Sequence, residues 1–277
     1  MQTLGEIKQL LAAGGMAPRK SLGQNFLIDH NLIRRLVDES GVGAGCVVLE
    51  VGPGTGTMTE ELLARGCVVV ASEIDRGLCE LLRARHAGNE RFRLVEGDCL
   101  RGKSALSEAV VGAIGGGAFS LVSNLPYGAG TGVLLALLTR HPECRRMAVT
   151  VQREVADRLA ASPGTEAYGS IGVVAQCVAR VRRVATLPPE CFWPRPEVTS
   201  AMVVLERLER PVTDDAGALG EFCKRGFAAR RKQLRGVLRS MGWGGGEAAL
   251  ATLAPNARLE ELLPEQIADL ERAGRGR

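Results

Sequence analysis

Between Cys46 and Leu205 short, largely apolar runs alternate with segments of helical period, and this alternation constrains the fold more than any other feature. The runs read as strands at Cys46–Val51, Cys67–Ala71, Phe92–Val95, Phe119–Ser123, Met147–Gln152, Val181–Thr186 and Val198–Leu205. Helical patterns separate them at Thr57–Arg65, Arg76–Arg85 (with Asp75 as its cap), Ser104–Ala113, Gly132–Thr139, Arg153–Ala161 and Ile171–Ala179. Strands that are apolar on both faces are covered on both faces, so the expected fold is α/β with a doubly wound, mostly parallel sheet. Two helices precede it: Leu4–Ala13, ended by Gly14-Gly15, and Asn31–Ser40, capped by Asp29. After a linker from Arg207 to Gly217 the pattern is helical at Ala218–Phe227, Arg231–Met241, Glu247–Leu253 and Pro264–Ala273. The expected organisation is a large domain over 1–207 and a small helical one over 208–277.

Composition narrows the function classes. Of 277 residues 45% are apolar, enough for a sizeable core, but no run approaches the roughly 20 apolar residues of a membrane span. With Glu6 and Lys8 and no apolar signal core, the N-terminal segment predicts a cytoplasmic protein without membrane association. The eight cysteines form no C-x-x-C pair and sit beside no His at ligand spacing, so they read as reduced, buried small hydrophobes, and no metal site is expected. Net charge is only +4, yet seven Lys or Arg and no acid lie between Lys224 and Arg239. Arg230, Arg231, Lys232, Arg235 and Arg239 are the candidate phosphate contacts of a nucleic-acid partner, although a solvated helix face has the same composition.

Gly52-Pro53-Gly54-Thr55-Gly56 makes a glycine-rich turn between the first long strand and its helix. Gly52 and Gly54 let backbone approach a ligand closely. The spacing is G-x-G-x-G, not the dinucleotide G-x-G-x-x-G, which suits a nucleoside better than a pyrophosphate. Glu73 follows the second strand, where an acid accepts both hydroxyls of a bound ribose, and Asp98 follows the third, placed to accept from an adenine amine. Each acid taken singly also reads as a loop carboxylate capping the next helix.

The fourth strand ends in Asn124-Leu125-Pro126-Tyr127. The Asn124 amide oxygen and the Leu125 carbonyl are two acceptors, and an exocyclic aromatic amine has two protons to donate. Accepting both draws the nitrogen lone pair out of conjugation and makes it nucleophilic. Pro126 fixes φ and removes a competing donor, and Tyr127 offers a face on which a flipped purine stacks. The tetrapeptide taken alone also reads as a strand-end turn with a partly buried Tyr.

Taken together these motifs resemble the KsgA family of ribosomal RNA adenine N6,N6-dimethyltransferases. The resemblance runs from about Arg19 to Leu205, with a weaker echo to Leu238. Its motifs stand here as Arg19–Leu27, the loop Glu50–Gly56, Glu73, Asp98, Asn124–Tyr127, Gln152–Arg158, Phe192–Val198, and Phe227 with Arg230, Arg231 and Lys232. It implies a seven-stranded Rossmann-like methyltransferase sheet with an all-helical C-terminal domain. It implies S-adenosylmethionine as donor, S-adenosylhomocysteine as product, and a cofactor pocket lined by Asn25, Leu27, Gly52, Gly54, Glu73, Asp98 and Asn124. Catalytic roles fall to Asn124, Leu125, Pro126 and Tyr127, with Phe192 covering another side of the base. The implied substrate is small-subunit rRNA within a pre-assembled small ribosomal subunit, where two adjacent adenosines of a hairpin loop near the 3′ end are dimethylated by a monomeric enzyme.

Two departures stand out. Gly128-Ala129-Gly130-Thr131 replaces the polar, β-branched stretch usual after the tetrapeptide, and Glu197 replaces a usual Lys. Three alternatives share parts of the pattern. A large-subunit rRNA adenine methyltransferase of the antibiotic-resistance type often has Ile in place of Leu125. A non-catalytic rRNA-binding assembly factor would not need Asn124–Tyr127 and Glu73 intact. A DNA adenine methyltransferase more often begins its tetrapeptide with Asp.

Overall fold

The computed structural model describes residues 1–102 and 105–275. The chain divides into two compact units, Met1–Leu137 with His141–Arg153 and Arg182–Leu205, and Leu138–Arg140 with Glu154–Val181 and Glu206–Arg277.

The first unit opens with α1 (Leu4–Ala13), whose first turn is closed by a capping box between Thr3 and Glu6. A two-residue strand β1 (Phe26–Leu27) follows, then α2 (His30–Ser40), capped by Asp29 as expected. The α/β series is β2 (Val47–Val51), α3 (Thr57–Ala64), β3 (Val68–Glu73), α4 (Arg76–Arg85), β4 (Phe92–Glu96), α5 (Glu108–Ile114), β5 (Phe119–Asn124), α6 (Gly130–Arg140) and β6 (Cys144–Gln152). Ser107 caps α5. The helix expected from Ser104 thus starts later; Ser104 itself, like the last two positions of the expected 208–277 segment, lies outside the described residues. After α7 (Arg153–Leu159) and α8 (Ser170–Val178) come β7 (Ala179–Leu187), the short β8 (Phe192–Trp193) and β9 (Ser200–Arg207).

Seven strands form one sheet in the order β4-β3-β2-β5-β6-β9-β7. The pairs β3/β4, β2/β3, β2/β5 and β5/β6 are parallel, which is the mostly parallel, doubly wound arrangement expected. Val48, Val69 and Val122 are buried, and so are their neighbours Leu49, Val70 and Leu121, which point to the opposite face. This is why β2, β3 and β5 read as largely apolar runs without a period-two alternation. One layer of core joins Ile33, Leu36 and Val37 of α2 and Leu62 of α3 to Val48, Val69 and Val122. Strand order reverses at β2, with β3 on one side and β5 on the other, so the carboxyl ends of β2 and β5 flank the crevice where open α/β sheets bind ligands.

In the second unit α8 packs on α9 (Ala216–Phe227) and α11 (Pro264–Arg275). Tyr168 is buried there, donating its hydroxyl to Leu262 O at 2.8 Å and meeting the Phe227 ring edge-on at 5.8 Å. The helix expected over Arg231–Met241 is shorter, α10 spanning Leu234–Ser240. Gln233 is extended and bridges Arg258, and Leu234 N donates to Ala257 O at 2.8 Å. These tertiary pairings override the helical propensity of the Ala228–Arg231 run.

Candidate active site

The loop after β2 sets the floor of the site. Gly52 and Gly54 have φ of 69° and 62°. A Cβ on Gly52 would lie 2.8 Å from the Pro126 ring, and one on Gly54 would lie 2.7 Å from the Phe26 ring. Backbone freedom and close approach therefore both demand glycine here. Gln2, itself buried, donates to Thr55 O at 2.8 Å from beneath the loop.

Glu73 ends β3. Its Oε2 accepts from Gly54 N at 3.2 Å, and its Oε1 accepts from Ile74 N and Asp75 N, both at 2.9 Å. Burial raises its pKa, and the bonds from the three amides act against that rise. A carboxylate has about four acceptor sites, so Glu73 both ties the glycine loop to β3 and keeps capacity for a ligand. Asp75 caps α4 through Oδ1, as expected. Asp98, past β4, is exposed, accepts from Leu100 N at 2.9 Å and lines the same cleft.

Glu50 lies buried within β2. Burial pushes it up to about 8, against the opposing bond from Thr59 Oγ1 at 2.7 Å. The unfolded carboxyl titrates near 4.5, so the folded state carries an extra proton between about 4.5 and about 8. The stability this group contributes is full below 4.5 and is lost as pH rises to about 8. Glu50→Gln keeps an acceptor for Thr59 and removes the titration. Thermal melts at about pH 5 and about pH 8 are expected to fall less steeply for Glu50→Gln than for wild type, by the equivalent of a few kcal/mol. Parallel pH slopes would mean that Glu50 folds ionised.

The tetrapeptide stands opposite the loop, at the end of β5. Ser123 Oγ donates to Val51 O at 2.7 Å and locks β5 to β2 at the point where strand order reverses. The Asn124 side chain is held at both ends. Its Nδ2 donates to Asn25 O at 2.8 Å, and its Oδ1 accepts from the Thr150 hydroxyl on β6. Leu125 N donates to Thr150 O at 3.2 Å, and Pro126 O accepts from Ala129 N and Gly130 N at 3.0 Å. The Tyr127 hydroxyl shares a 2.7 Å hydrogen bond with Ser200 Oγ at the start of β9. Burial raises the Tyr127 pKa, with the Ser200 bond opposing. A cleft of ≈ 690 Å³ runs between loop and tetrapeptide, large enough for a nucleoside cofactor and a second base. Its walls include every residue expected in the cofactor pocket, Asn25, Leu27, Gly52, Gly54, Glu73, Asp98 and Asn124, together with Leu125, Pro126 and Tyr127.

The model of the ribosomal RNA adenine dimethylase family matches residues 15–273 of this chain. The chain belongs to that family. Its relatives include two proteins named ribosomal RNA small subunit methyltransferase A. The one from Streptomyces avermitilis is 41% identical over 276 residues, covering 95% of this chain and 90% of that protein. The one from Magnetococcus marinus is 40% identical over 244 residues, covering 87% and 86%. Among solved structures, the 23S rRNA methyltransferase ErmE superposes with a TM-score of 0.66 at 25% identity, over 90% of this chain and 99% of that one. A dimethyladenosine transferase from Plasmodium falciparum superposes with a TM-score of 0.72 at 19% identity, over 88% and 95%, a likeness of fold.

Membership makes this chain a methyltransferase and implies S-adenosylmethionine as its methyl donor. The residues fit that group, with the Gly52–Gly54 loop packed closely on Pro126 and Phe26, the carboxyl groups of Glu73 and Asp98 as acceptors, and apolar Leu27 and Leu78 lining the cleft. Among the described residues no group of three or more His, Cys, Asp or Glu is placed to hold a metal, and no helix is long and apolar enough to cross a membrane.

One expected role needs correcting. Phe192 is 3% exposed, belongs to the core with Ile33 and Leu36, and does not line the cleft. The cause is the ladder of β1 with β8, which pairs Leu27 with Phe192 and Phe26 with Trp193. Alternation turns Phe192 to the core side, and Pro194, Arg195, Pro196, Glu197 and Val198 line the cleft instead. A second correction concerns Arg230, which was expected among the phosphate contacts. It lies in a turn before α10 and is half-buried, with Nε on Glu260 at 2.5 Å and its other nitrogens on the carbonyls of Glu166 and Thr165. Arg231, Lys232, Arg235 and Arg239 are exposed, and Arg235 pairs with Glu247, itself exposed.

Sequence reasoning passed over Thr150 and Ser200, the hydroxyls that hold Asn124 and Tyr127. Thr150 had a signal, as the single polar residue in the apolar run Met147–Val151. Ser200 had none, because its neighbours Thr199 and Glu197 are polar as well.

Proposed function

We propose that this enzyme transfers methyl groups to N6 of adenosines in small-subunit ribosomal RNA, dimethylating two adjacent adenosines of a hairpin loop near the 3′ end. The observation that supports this reading is that Asn124, Leu125 and Tyr127 line one cleft together with the glycine loop and Glu73. The choice of small-subunit RNA is supported by relatives at 40–41% identity named for that subunit, against 25% for the 23S enzyme.

When bound, S-adenosylmethionine supplies a sulfonium methyl group, whose S–C bonding pair remains on sulfur as the amine lone pair forms the N–C bond. The protein contributes alignment and electrostatics. Asn124 Oδ1 and Leu125 O accept the two N6 protons and localise the lone pair. Tyr127, its ring angle fixed through Ser200, stacks on the flipped base. The methylated amine is cationic and gives its proton to water. In the second transfer a methyl occupies the place of one N–H, so stacking carries more of the positioning.

The substrate is the RNA within a pre-assembled small subunit, met in the cytoplasm by a monomer. Residues 1–207 supply the cofactor and base sites, and 208–277 grip RNA. Arg231, Lys232, Arg235 and Arg239 are the phosphate contacts. Arg235 remains available, because an ion pair as exposed as Arg235–Glu247 contributes little. Arg230 serves its own unit instead. Replacing Arg231, Arg235 and Arg239 together by Gln is expected to weaken subunit binding and flatten its salt dependence by roughly two to three units, with cofactor affinity and modified positions unchanged. An unaltered slope would assign these residues to solvent and move the RNA contact to a second basic cluster, Arg180, Arg182 and Arg183 of β7. The function itself is tested by incubating undermethylated small subunits and, in parallel, large-subunit RNA with labelled cofactor and mapping the label. Label confined to large-subunit RNA would replace the reading with the resistance type.

A further inference from the structure

We propose that Thr150 is the positioning residue that fixes which end of the Asn124 carboxamide faces the target amine. The inference rests on the reading of Asn124 and Leu125 as acceptors for that amine.

A carboxamide presents either an acceptor or a donor, depending on a half-turn about its last bond. Turned the wrong way, Asn124 would offer N–H groups to an amine whose own protons need acceptors. Two contacts oppose that turn. One is the bond from Asn124 Nδ2 to Asn25 O at 2.8 Å, which comes from the segment covering the cleft. The other is the hydroxyl of Thr150, which donates to Asn124 Oδ1 from the adjacent strand, where the register pairs Asn124 directly with Thr150. A carbonyl oxygen has two lone pairs, so this bond leaves one for the substrate proton.

Thr150 also acts through its backbone. Its carbonyl accepts from Leu125 N at 3.2 Å, which fixes the peptide entering Leu125, while Pro126 restricts the one leaving it. Both acceptors of the site are therefore referenced to one residue of β6.

Packing gives no reason for the hydroxyl. Thr150 is 1% exposed between Val149 at 0% and Val151 at 2%, on a strand where valine has the same branched shape. A hydroxyl buried there needs a partner, and the one it has is Asn124 Oδ1.

The test compares Thr150→Val, which keeps shape and loses the donor, with Thr150→Ser, which keeps the donor. For Thr150→Val we expect kcat on undermethylated small subunits to fall about tenfold, the equivalent of about 1.4 kcal/mol. KM for subunits and the calorimetric Kd for S-adenosylmethionine are expected to stay within about twofold, and Thr150→Ser to restore most of kcat. A readout independent of turnover is solvent exchange of the Asn124 side-chain amide protons, followed by NMR in the cofactor-free enzyme. Exchange should accelerate in the Val variant and not in the Ser variant. Should Thr150→Val misfold, Thr150→Ala enters the same comparison. Wild-type kcat with unchanged amide exchange overturns the proposal, and so does a loss spread equally over kcat, KM and Kd or a Ser variant as impaired as Val. Wild-type enzyme inert on small subunits would overturn the function, and the amide exchange would still decide the role of Thr150.

Discussion

Asn124→Ala is expected to lower turnover by about 10²–10³-fold, the effect of deleting one preorganised polar group aimed at a reacting centre. Affinity for S-adenosylmethionine should change by less than about tenfold, since the glycine loop, Glu73 and Asp98 remain in place. The variant also releases Asn25, whose carbonyl accepts from Asn124 Nδ2. Asn124→Asp is therefore an informative companion. It keeps an acceptor for the amine but sets a carboxylate oxygen where an N–H now meets the Asn25 carbonyl at 2.8 Å, so its loss should fall between wild type and Ala. Single-turnover methylation and calorimetry on the same preparations separate the two effects. An Ala variant within about tenfold of wild-type turnover would remove Asn124 from the chemistry.

Glu73→Ala should damage a different quantity. The side chain is 4% exposed and accepts from three backbone amides. Charge-assisted bonds of this kind contribute roughly 1.5–3 kcal/mol each, so removing their acceptor should loosen the glycine loop and lower the melting temperature. Cofactor affinity should fall at least about tenfold, the equivalent of losing one such bond to the ligand. Glu73→Gln retains one oxygen and cannot serve Gly54 N and the Ile74 and Asp75 amides together, so partial loss is expected. Unchanged affinity in the Ala variant would place the ribose elsewhere in the cleft.

The sheet was legible in the sequence because its strands are apolar on both faces and its helices carry side-chain caps such as Asp29 and Asp75. Most of the cleft was legible for a related reason. In a parallel sheet the polar residue ending each strand falls at one edge, and Glu73, Asp98 and Asn124 meet there without any long-range information. What was not legible depends on partners distant in the chain. Phe192 turns to the core because a two-residue strand pairs it with Leu27, and no periodicity exists over two residues. Arg230 is drawn into its own unit by Glu260, thirty positions on, and by the carbonyls of Thr165 and Glu166. The same unit shortens α10, because the Gln233–Arg258 bridge competes with helix over 231–233. Thr150 and Ser200 hold Asn124 and Tyr127 across strands, a relation that local sequence does not encode.

The ladder between β1 and β8 ties the cleft to the core. Two residues pair with two, and the rings of Phe26 and Trp193 stack 6.1 Å apart. Leu27 and Phe192 are 5% and 3% exposed and share one core layer with Ile33, Leu36, Val48 and Val122, so opening the ladder is resisted by packing more than by its few hydrogen bonds. Leu27 also lines the cleft. A substitution that loosens this core layer therefore reaches the cofactor site through Leu27, and the residence time of the cofactor and the stability of the fold are expected to vary together.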